Sequence, residues 1–371
     1  MSTMRFARRI ERLMQALAEK GLEGAVIFGA SNVFYFTGTN AASAFVVGPQ
    51  GAVLVTYRLE ILRALEEKKV DAAVLGYVKA ENLETAEWED VVEGGLEDAV
   101  LEAMKRVGLK VEKAGSNAET LQHSAFESLT KKIGKTESIA DLISKMRAIK
   151  DDEEIRAMEK AARVAERALE AAIDSLREGV SEGEVAGEIL RVIHSLGAEP
   201  SFPPIVAFGP HSAQPHAKPG IRKLAKGDIV KLDLGARLDG YCSDITRTLI
   251  YSGASEEQKK ILKVVAEAQE KAIEAVEAGT PCKDVDAVAR KVISEAGYAA
   301  YFNHGLGHGV GVDVHEKPYL GPTSKDTLEK GMVFTIEPGV YIKGLGGVRI
   351  EDMVFLSDKG PVTLTKFDRL L

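Results

Sequence analysis

Three acidic residues in the C-terminal half of this sequence lie within or beside strongly apolar runs, and a fourth, Asp244, follows eleven residues after the first. Asp233 interrupts the run at residues 229–234, Glu337 follows directly on an apolar segment, and Glu351 lies in another. Ionised carboxylates are seldom buried without a partner. These positions therefore predict a site that holds cations or shares protons, rather than a set of solvated surface acids.

The dipeptide Asp239-Gly240 is a typical two-residue hairpin signal and predicts how two of these acids are spaced. With this turn, Asp233 faces Thr246 across the hairpin, and Asp244 lies diagonally, two residues nearer the turn. If the turn moves back by one residue, Asp233 faces Asp244 directly. In both registers the carboxylates share one face, because side chains alternate with a period of two. Two like charges this close favour bound cations or one shared proton.

A glycine-rich segment between the two acid pairs holds His304, His308 and His315, three of the seven histidines in the chain. Its glycines allow the backbone to approach a site closely and disfavour a helix. No helix is predicted after Gly305-x-Gly307, which argues against a nucleotide-binding fingerprint. The pair His315-Glu316 lacks a second histidine four positions on, which excludes a zinc-peptidase helix.

Four carboxylates and one imidazole form an oxygen-rich ligand set that suits two divalent metal ions with bridging carboxylates. Mn²⁺ or Co²⁺ is expected first, with Fe²⁺ or Zn²⁺ as alternatives. Two ions about 3.5–4 Å apart would hold a bridging water as hydroxide at neutral pH. The ligand set therefore predicts metal-assisted hydrolysis.

Composition excludes several other classes of function. The net charge of −8 argues against binding to nucleic acid, which requires a basic face. Two cysteines, Cys242 and Cys282, are too few for a disulfide framework and indicate a reducing compartment. No apolar secretion-signal segment follows the first methionine, and no apolar run reaches the roughly 18–20 residues of a membrane-spanning helix. We expect a cytoplasmic protein that does not interact with membranes.

The helix and strand patterns predict an α/β protein with two domains. Residues 1–147 alternate helix-like and strand-like segments and contain no cluster of metal-ligand residue types. Residues 148–371 twice show two helices followed by a carboxylate-bearing hairpin, which predicts a pseudo-duplicated domain. Two capping boxes, Ser181-x-x-Glu184 and Ser255-x-x-Gln258, begin one helix in each half. A β-hairpin is expected over 228–252 and strands over 332–342 and 348–356, with the short buried strand from Met332 ending at Glu337-Pro338-Gly339.

The five predicted ligands occur in the order Asp, Asp, His, Glu, Glu, within the segments LDLG, SDITRT, GLGHGVG, TIEPG and VRIED. This pattern resembles the pita-bread metallopeptidases, a family that includes methionine aminopeptidase, aminopeptidase P and prolidase, with the non-metal creatinase as a cousin. The resemblance extends to Asn32-Val-Phe-Tyr-Phe-Thr-Gly, which is similar to the N-terminal domain of prolidase and creatinase. It implies an N-terminal α/β domain of that type and a C-terminal pita-bread catalytic domain. The metal ligands that it implies are Asp233, Asp244, His308, Glu337 and Glu351.

The same resemblance implies roles for three histidines. His216 matches the residue that contacts the substrate and is a candidate donor of the leaving-group proton. His315 matches the residue that stabilises the gem-diolate on the carbonyl oxygen. His304 matches a histidine of the proline pocket in the proline-specific branch. Which of the first two histidines protonates the leaving nitrogen stays open.

Other catalytic roles also follow from the resemblance. Glu337 is expected both to bind metal and to take the proton of the attacking water. Tyr341 and Arg349 are expected to orient the Asp233 side of the cluster. Asp352, next to Glu351, points to the opposite face and is expected at the surface or in a supporting role.

The length of the N-terminal domain argues against methionine aminopeptidase, and the complete ligand set argues against creatinase. The predicted function is hydrolysis of the Xaa-Pro bond of dipeptides, with a small peptide that has proline at its second position as substrate. The close alternative is an Xaa-Pro aminopeptidase that acts on longer peptides. The alternative from another class is a non-catalytic binding protein on the same fold. The resemblance also implies a homodimer in which the N-terminal domain closes the cleft and forms the dimer contact.

Overall fold

The computed structural model describes residues 3–80 and 84–370. The chain divides between Ser144 and Lys145 into two units. This division falls inside a helix, Ala140–Ala148, and lies three residues before the predicted boundary. Each unit combines helices with β-sheet, as expected for an α/β protein.

A mixed seven-stranded sheet forms the centre of the N-terminal unit, in the order β5-β4-β3-β2-β1-β6-β7. Its strands are β1 (Gly24–Phe28), β2 (Ala44–Gly48), β3 (Gly51–Tyr57), β4 (Ala73–Val78), β5 (Val91–Glu93), β6 (Ala114–Ser116) and β7 (Glu137–Ser138). Pairing is antiparallel within β1–β2–β3 and parallel elsewhere in this sheet. The β2–β3 hairpin turns at residues 49–50, as the sequence Pro-Gln-Gly predicts.

Among residues 3–80 and 84–148, six helices accompany this sheet. They are α1 (Thr3–Glu19), α2 (Ala30–Thr37), α3 (Ile61–Glu67), α4 (Leu96–Arg106), α5 (His123–Ile133) and α6 (Ala140–Ala148). Short 3₁₀ turns occur at Arg58–Glu60, Val111–Lys113 and Ala118–Thr120. Buried side chains of α4 and α5, such as Val100, Met104 and Leu129, join the apolar cluster on one face of the sheet.

The described part of the C-terminal unit has four helices, and three of them begin at acidic or polar caps that satisfy free amide groups, while the fourth begins after Pro281 without a side-chain cap. They are α7 (Asp152–Asp174), α8 (Glu182–Ser195), α9 (Glu256–Glu274) and α10 (Cys282–Glu295). Asp151, Ser181 and Ser255 each accept a hydrogen bond from the amide three residues on, and the residue there bonds back. Both predicted capping boxes are therefore confirmed.

The strands of the C-terminal unit are shorter than the sequence predicted. They are β8 (Glu199–Pro200), β9 (Ile205–Phe208), β10 (Ile229–Leu234), β11 (Ala236–Leu238), β12 (Tyr241–Cys242), β13 (Ile245–Ile250), β14 (Gly307–Gly309), β15 (Glu316–Leu320), β16 (Val333–Ile336), β17 (Gly339–Ile342), β18 (Gly346–Arg349), β19 (Asp352–Ser357) and β20 (Gly360–Thr363). Further 3₁₀ turns lie at Gly209–Ala213 and Ala299–Tyr301.

The buried strand before Glu337 ends at Glu337-Pro338, as expected. The continuous strand expected at 348–356 was wrong, because the chain is divided there at Ile350-Glu351. At both breaks the chain leaves one sheet for another, since β16 and β19 pair in a five-stranded sheet while β17 and β18 form a separate ribbon. Proline cannot donate to a ladder, which explains the first break.

The two halves of this unit repeat the order of two helices followed by strands, and each half has its own apolar cluster. One cluster joins α7 and α8 to β9, β10 and β13, and the other joins α9 and α10 to β16, β18 and β19. The predicted pseudo-duplication is confirmed. Its consequence for the site is that acidic residues from the strand regions of both halves line one cavity.

Candidate metal centre

The first pair of predicted ligands lies on the hairpin formed by β10 and β13. Asp233 pairs with Thr246 across the hairpin, and Leu238 pairs with Tyr241 on either side of the Asp239-Gly240 turn. This is the first of the two predicted registers. Asp239 and Gly240 both have positive φ (53° and 81°), as such a turn requires. Asp233 and Asp244 are buried on the same side of the hairpin.

The second pair comes from the two strand breaks described above. Glu337 follows β16, and its backbone amide donates to the carbonyl of Leu306 (2.8 Å). Glu351 follows β18, and its amide donates to the carbonyl of Thr246 (3.1 Å). The backbone of Glu351 is therefore attached to the strand that faces Asp233. Glu351 is buried, while Glu337 keeps part of its carboxylate accessible.

His308 lies on β14, at a bulge between His308 and Gly309. The sequence predicted a glycine-rich loop here, and the structure has a short strand instead. The backbone at Gly307 nevertheless lies very close to Thr335, because a Cβ on Gly307 would lie 2.0 Å from the Thr335 carbonyl oxygen. The Nε2 atom of His308 lies 3.2 Å from Glu337 Oε1 and 3.7 Å from Asp244 Oδ2.

The five predicted ligands therefore line one cavity of about 730 Å³, together with His216, His304 and His315. Ligand atoms of Asp244, His308 and Glu351 all lie within 4.8 Å of one another. Arg349 connects Asp233 to this group, since its guanidinium donates to Asp233 Oδ2 and lies 3.9 Å from Glu337. A cavity of this size can admit a short peptide.

The electrostatics of the cluster fit bound cations. Burial, reinforced by the charges of neighbouring carboxylates, holds the pKa values of Asp244 and Glu351 well above their usual range. Oδ1 of Asp233 and Oδ1 of Asp244 are buried without a hydrogen-bond partner. Buried, unpaired carboxylate oxygens are costly. Bound divalent cations would offset the repulsion between the buried carboxylates and would give the unpaired oxygens a partner. The residues present therefore fit a metal centre.

Glu337 differs from these two acids because it has a hydrogen-bonding partner. Burial opposes its ionisation, but the hydrogen bond from His308 and the charges nearby outweigh burial and lower the pKa of Glu337 to about 2. Conversely, burial disfavours protonation of His308, but Glu337 outweighs it and raises the pKa of His308. Thr335 Oγ1 also donates to Glu337 Oε1 (3.0 Å). Glu337 is therefore held as an ionised acceptor on the cavity wall.

Arg349 and Tyr341 lie where the sequence placed them, behind Asp233. Arg349 donates to Asp233, to the hydroxyl of Tyr341 (2.7 Å) and to Thr246 Oγ1 (3.2 Å). The Tyr341 hydroxyl is also 2.9 Å from Nε2 of His304. One network of hydrogen bonds therefore runs from His304 on the cavity wall to Asp233.

The remaining histidines occupy different positions on the cavity wall. The ring of His315 packs edge-on against that of His308, with 4.2 Å between centroids. Burial and the charge of His308 lower the pKa of His315. His216 is exposed and lines the cavity from the loop before β10. His211, for which the sequence suggested no catalytic role, instead contacts the buried Glu182 (2.8 Å).

Sequence reasoning missed three residues that contact this site. Thr246 Oγ1 donates to Glu351 Oε2 (2.6 Å), and Thr335 supports Glu337 as described. Lys231 is buried beside the cluster, on the same strand as Asp233. The period-two alternation places Lys231 on the Asp233 face, and the predicted register places Thr246 opposite, so a signal was available for both. Asp352 is buried and pairs with Arg247 (2.7 Å), so the surface alternative for it was wrong.

Within residues 3–80 and 84–370, no helix has the length and apolar character needed to cross a membrane.

Residues 156–358 match the sequence model of metallopeptidase family M24, and residues 9–149 match that of the creatinase/prolidase N-terminal domain.

Individual relatives match along nearly the full chain. An Xaa-Pro dipeptidase of Pyrococcus furiosus is 36% identical over 368 residues, which cover 98% of this chain and 99% of the relative. The structure of the prolidase from Pyrococcus horikoshii has a TM-score of 0.85 at 35% identity, covering 98% of this chain and 99% of that one. An X-Pro aminopeptidase from Thermotoga maritima has a TM-score of 0.84 at 30% identity, covering 98% and 100%. The predicted α/β fold, with its two domain types, is confirmed.

Proposed function

The chain belongs to metallopeptidase family M24, and we therefore propose that it hydrolyses the Xaa-Pro bond of dipeptides with the help of two divalent metal ions. Four carboxylates and His308 line one cavity, and two of the buried carboxylate oxygens have no hydrogen-bond partner. This observation carries the proposal. Full-length relatives described as Xaa-Pro dipeptidases support the substrate class.

Asp233, Asp244, His308, Glu337 and Glu351 would hold the ions. Mn²⁺ or Co²⁺ suits this oxygen-rich set, with Fe²⁺ or Zn²⁺ as alternatives. Bound divalent ions would lower the pKa of a water molecule and polarise the carbonyl group of the scissile bond.

The protein's own residues would move the protons. Glu337 is ionised and partly accessible, so it takes the proton that the attacking water loses. The nitrogen of an Xaa-Pro bond carries no hydrogen, so it must receive a proton before it can leave. His216 supplies that proton from the cavity wall, and His315 donates a hydrogen bond to the carbonyl oxygen as negative charge develops on it.

The side of the cavity near His304 suits the proline ring. Phe302 packs edge-on against His304, at 5.1 Å between ring centroids, and the ring of Tyr341 lies tilted against the same imidazole at 5.5 Å. Phe202 and Ile205 add apolar surface to the cavity. Tyr341 and Arg349 keep Asp233 in one orientation, because both belong to the network that ends on its carboxylate.

One observation favours the alternative, an aminopeptidase that acts on longer peptides. Among the lining residues described, Arg349 is the one lysine or arginine side chain, and it is buried in bonds to Asp233, Tyr341 and Thr246. The lining residues of the C-terminal unit therefore offer no free guanidinium or ammonium group to the carboxylate of a dipeptide. The charges of these lining residues therefore allow a substrate with a third residue after proline.

The experiment that tests the proposal uses protein stripped with a chelator and refilled with Mn²⁺ or Co²⁺. An Xaa-Pro dipeptide is compared with the matching Xaa-Pro-Xaa tripeptide, and stripped protein is the control. Metal-dependent cleavage of the dipeptide alone supports the proposal. Faster cleavage of the tripeptide supports the aminopeptidase, and no cleavage of either supports a binding protein.

We also propose that the protein is a cytoplasmic homodimer whose N-terminal unit closes the cleft and forms the contact. Both cysteines are unpaired and buried, which fits a reducing compartment. Leu59 and Leu62 expose 82% and 56% of their surface next to each other, which would suit a protein contact. Sedimentation equilibrium tests this: wild type should give twice the monomer mass, and Leu59→Asp/Leu62→Asp the monomer mass.

A further inference from the structure

Lys231 is a wholly buried lysine on β10, two residues before Asp233. Burying an amine in a protein core requires hydrogen-bond acceptors for it. Its Nζ atom has three, and all are backbone carbonyl oxygens: Ser212 (3.0 Å), Gln214 (2.6 Å) and Pro215 (3.2 Å). The side chain also passes over the ring of Tyr341, with 5.1 Å from Nζ to the centroid.

These three carbonyl groups belong to the chain that leads directly to His216. The 3₁₀ turn Gly209–Ala213 ends just before it, and Gln214 and His216 are both exposed. After this turn, residues 214–216 lie outside helices and strands and have no backbone ladder to fix them. Arg349 adds one bond to the Pro215 carbonyl (3.3 Å), so buried side chains of the sheets hold this segment.

The constraint on the loop does not depend on the charge of Lys231. Burial lowers the pKa of Lys231 to about 6, with Arg349 acting in the same direction and Asp233 opposing both. The three carbonyl oxygens favour the protonated form, because only an ammonium group has three hydrogens to donate. The neutral amine would still donate two of the three bonds.

We propose that Lys231 is a positioning residue for His216, holding the backbone of residues 212–215 so that the imidazole stays on the cavity wall. This inference rests on the proposed function, in which His216 protonates the leaving nitrogen. Lys231 itself does not contact the substrate. It acts through the loop, because its amine is buried beneath that loop.

The test is a double-mutant cycle with Lys231→Met and His216→Ala in metal-loaded protein. Lys231→Met should lower kcat on an Xaa-Pro dipeptide by up to about 10²-fold, the loss that a small misplacement of a catalytic group can cause, with KM little changed. In the His216→Ala background it should lower kcat by less than roughly threefold, since residues that act as one unit are not additive.

Lys150→Met is the matched control. Lys150 has no exposed side-chain surface either, but its amine contacts Glu316 (2.8 Å), which begins β15 directly after His315. Lys150→Met should lower kcat by the same factor in the wild-type and His216→Ala backgrounds. If Lys231→Met also lowers kcat by equal factors in both backgrounds, the positioning role is wrong. A tenfold loss of Co²⁺ affinity in Lys231→Met would overturn it too, because the effect would then pass through Asp233.

Amide hydrogen exchange in metal-free protein separates this inference from the proposed function. Lys231→Met should speed exchange at residues 211–217 by about tenfold, the factor expected for the loss of roughly one net hydrogen bond, while Lys150→Met should not. If wild type cleaves no Xaa-Pro peptide, the proposed function fails, but the exchange result still decides whether Lys231 holds the loop. If Lys231→Met does not fold, Lys231→Gln takes its place. If neither folds, unprotected amides at 211–217 in wild type would refute the inference, and protected ones would support it.

Discussion

Replacing Thr246 with valine removes one hydroxyl group from the face of β13 that points to the metal centre and keeps the number of side-chain heavy atoms. In the structure this hydroxyl donates to Glu351 Oε2 (2.6 Å) and accepts from Nε of Arg349 (3.2 Å). Both partners are buried, and water cannot replace the lost bonds. We expect the substitution to weaken metal binding while leaving the fold in place.

The magnitude follows from the charge on the acceptor. A hydrogen bond to a charged group contributes about 1.5–3 kcal/mol, which corresponds to a roughly 10- to 150-fold change in a binding constant. The loss of a supporting partner of a metal ligand costs about 10- to 100-fold in metal affinity, which agrees. The hydroxyl also lowers the pKa of Glu351, which burial and nearby carboxylates raise. Without it, protons compete better with metal, so the deficit should grow as pH falls.

The assay is titration of chelator-stripped protein with Co²⁺ against a competing chromophoric chelator at several pH values. Thr248→Val is the matched control. Thr248 is two residues away on β13, is equally buried, and also makes two hydrogen bonds, but both are with the backbone of Arg349 (2.8 and 3.1 Å). It should lower the free energy of unfolding without a tenfold loss of Co²⁺ affinity.

Two results would refute this reasoning. Co²⁺ affinity of Thr246→Val within about threefold of wild type would mean that the bond to Glu351 does not support a ligand. Equal losses in Thr246→Val and Thr248→Val would mean that any buried polar deletion on this strand disturbs the site.

Three further predictions concern the ligands themselves. Glu337→Gln should lower kcat by about 10²–10⁴-fold with an unchanged far-UV spectrum, and near-wild-type turnover would show that Glu337 does not accept the proton. Asp233→Asn should lower metal content and cost about 3–5 kcal/mol of unfolding free energy, because it leaves Arg349 buried without its charged partner; unchanged metal content in elemental analysis would rule out Asp233 as a ligand. In metal-free protein, Asp244 and Glu351 have raised pKa values, so they bind protons more tightly when folded. Their contribution to stability is present at acid pH and is lost as the pH rises from about 4 through the raised pKa values. The gain in Tm on adding metal should therefore increase with pH. A gain in Tm that stays constant with pH would contradict this prediction.

The types of the ligands and the faces they share could be predicted from local rules. Asp233 lies in an apolar strand, where an ionised group needs a partner. The Asp239-Gly240 turn placed Asp233 and Asp244 on one face in both predicted registers, and the structure has the register with Thr246 opposite Asp233. Capping boxes at Ser181 and Ser255 depend on residues three positions apart, so they too were readable from the sequence.

The strand break at Ile350-Glu351 was not predictable in the same way. A run such as 348–356 has the apolar character of one long strand, and its division at Glu351 depends on which sheet each part joins. The burial of Asp352 also depended on distant residues, since Arg247, Gln269 and Thr365 all bond to it.

By itself, the sequence determined the ligand types, the face that Asp233 and Asp244 share and the order in which two similar halves follow each other, because these depend on neighbours a few residues apart. Only the tertiary structure decided which side chains support the ligands. Thr246 meets Glu351 across 105 residues, and Arg349 meets Asp233 across 116. Lys231 reaches the loop of His216 in the same way, through packing that no local pattern encodes. Periodicity fixes the direction of a side chain, whereas its partner depends on how sheets and loops from distant parts of the chain pack together.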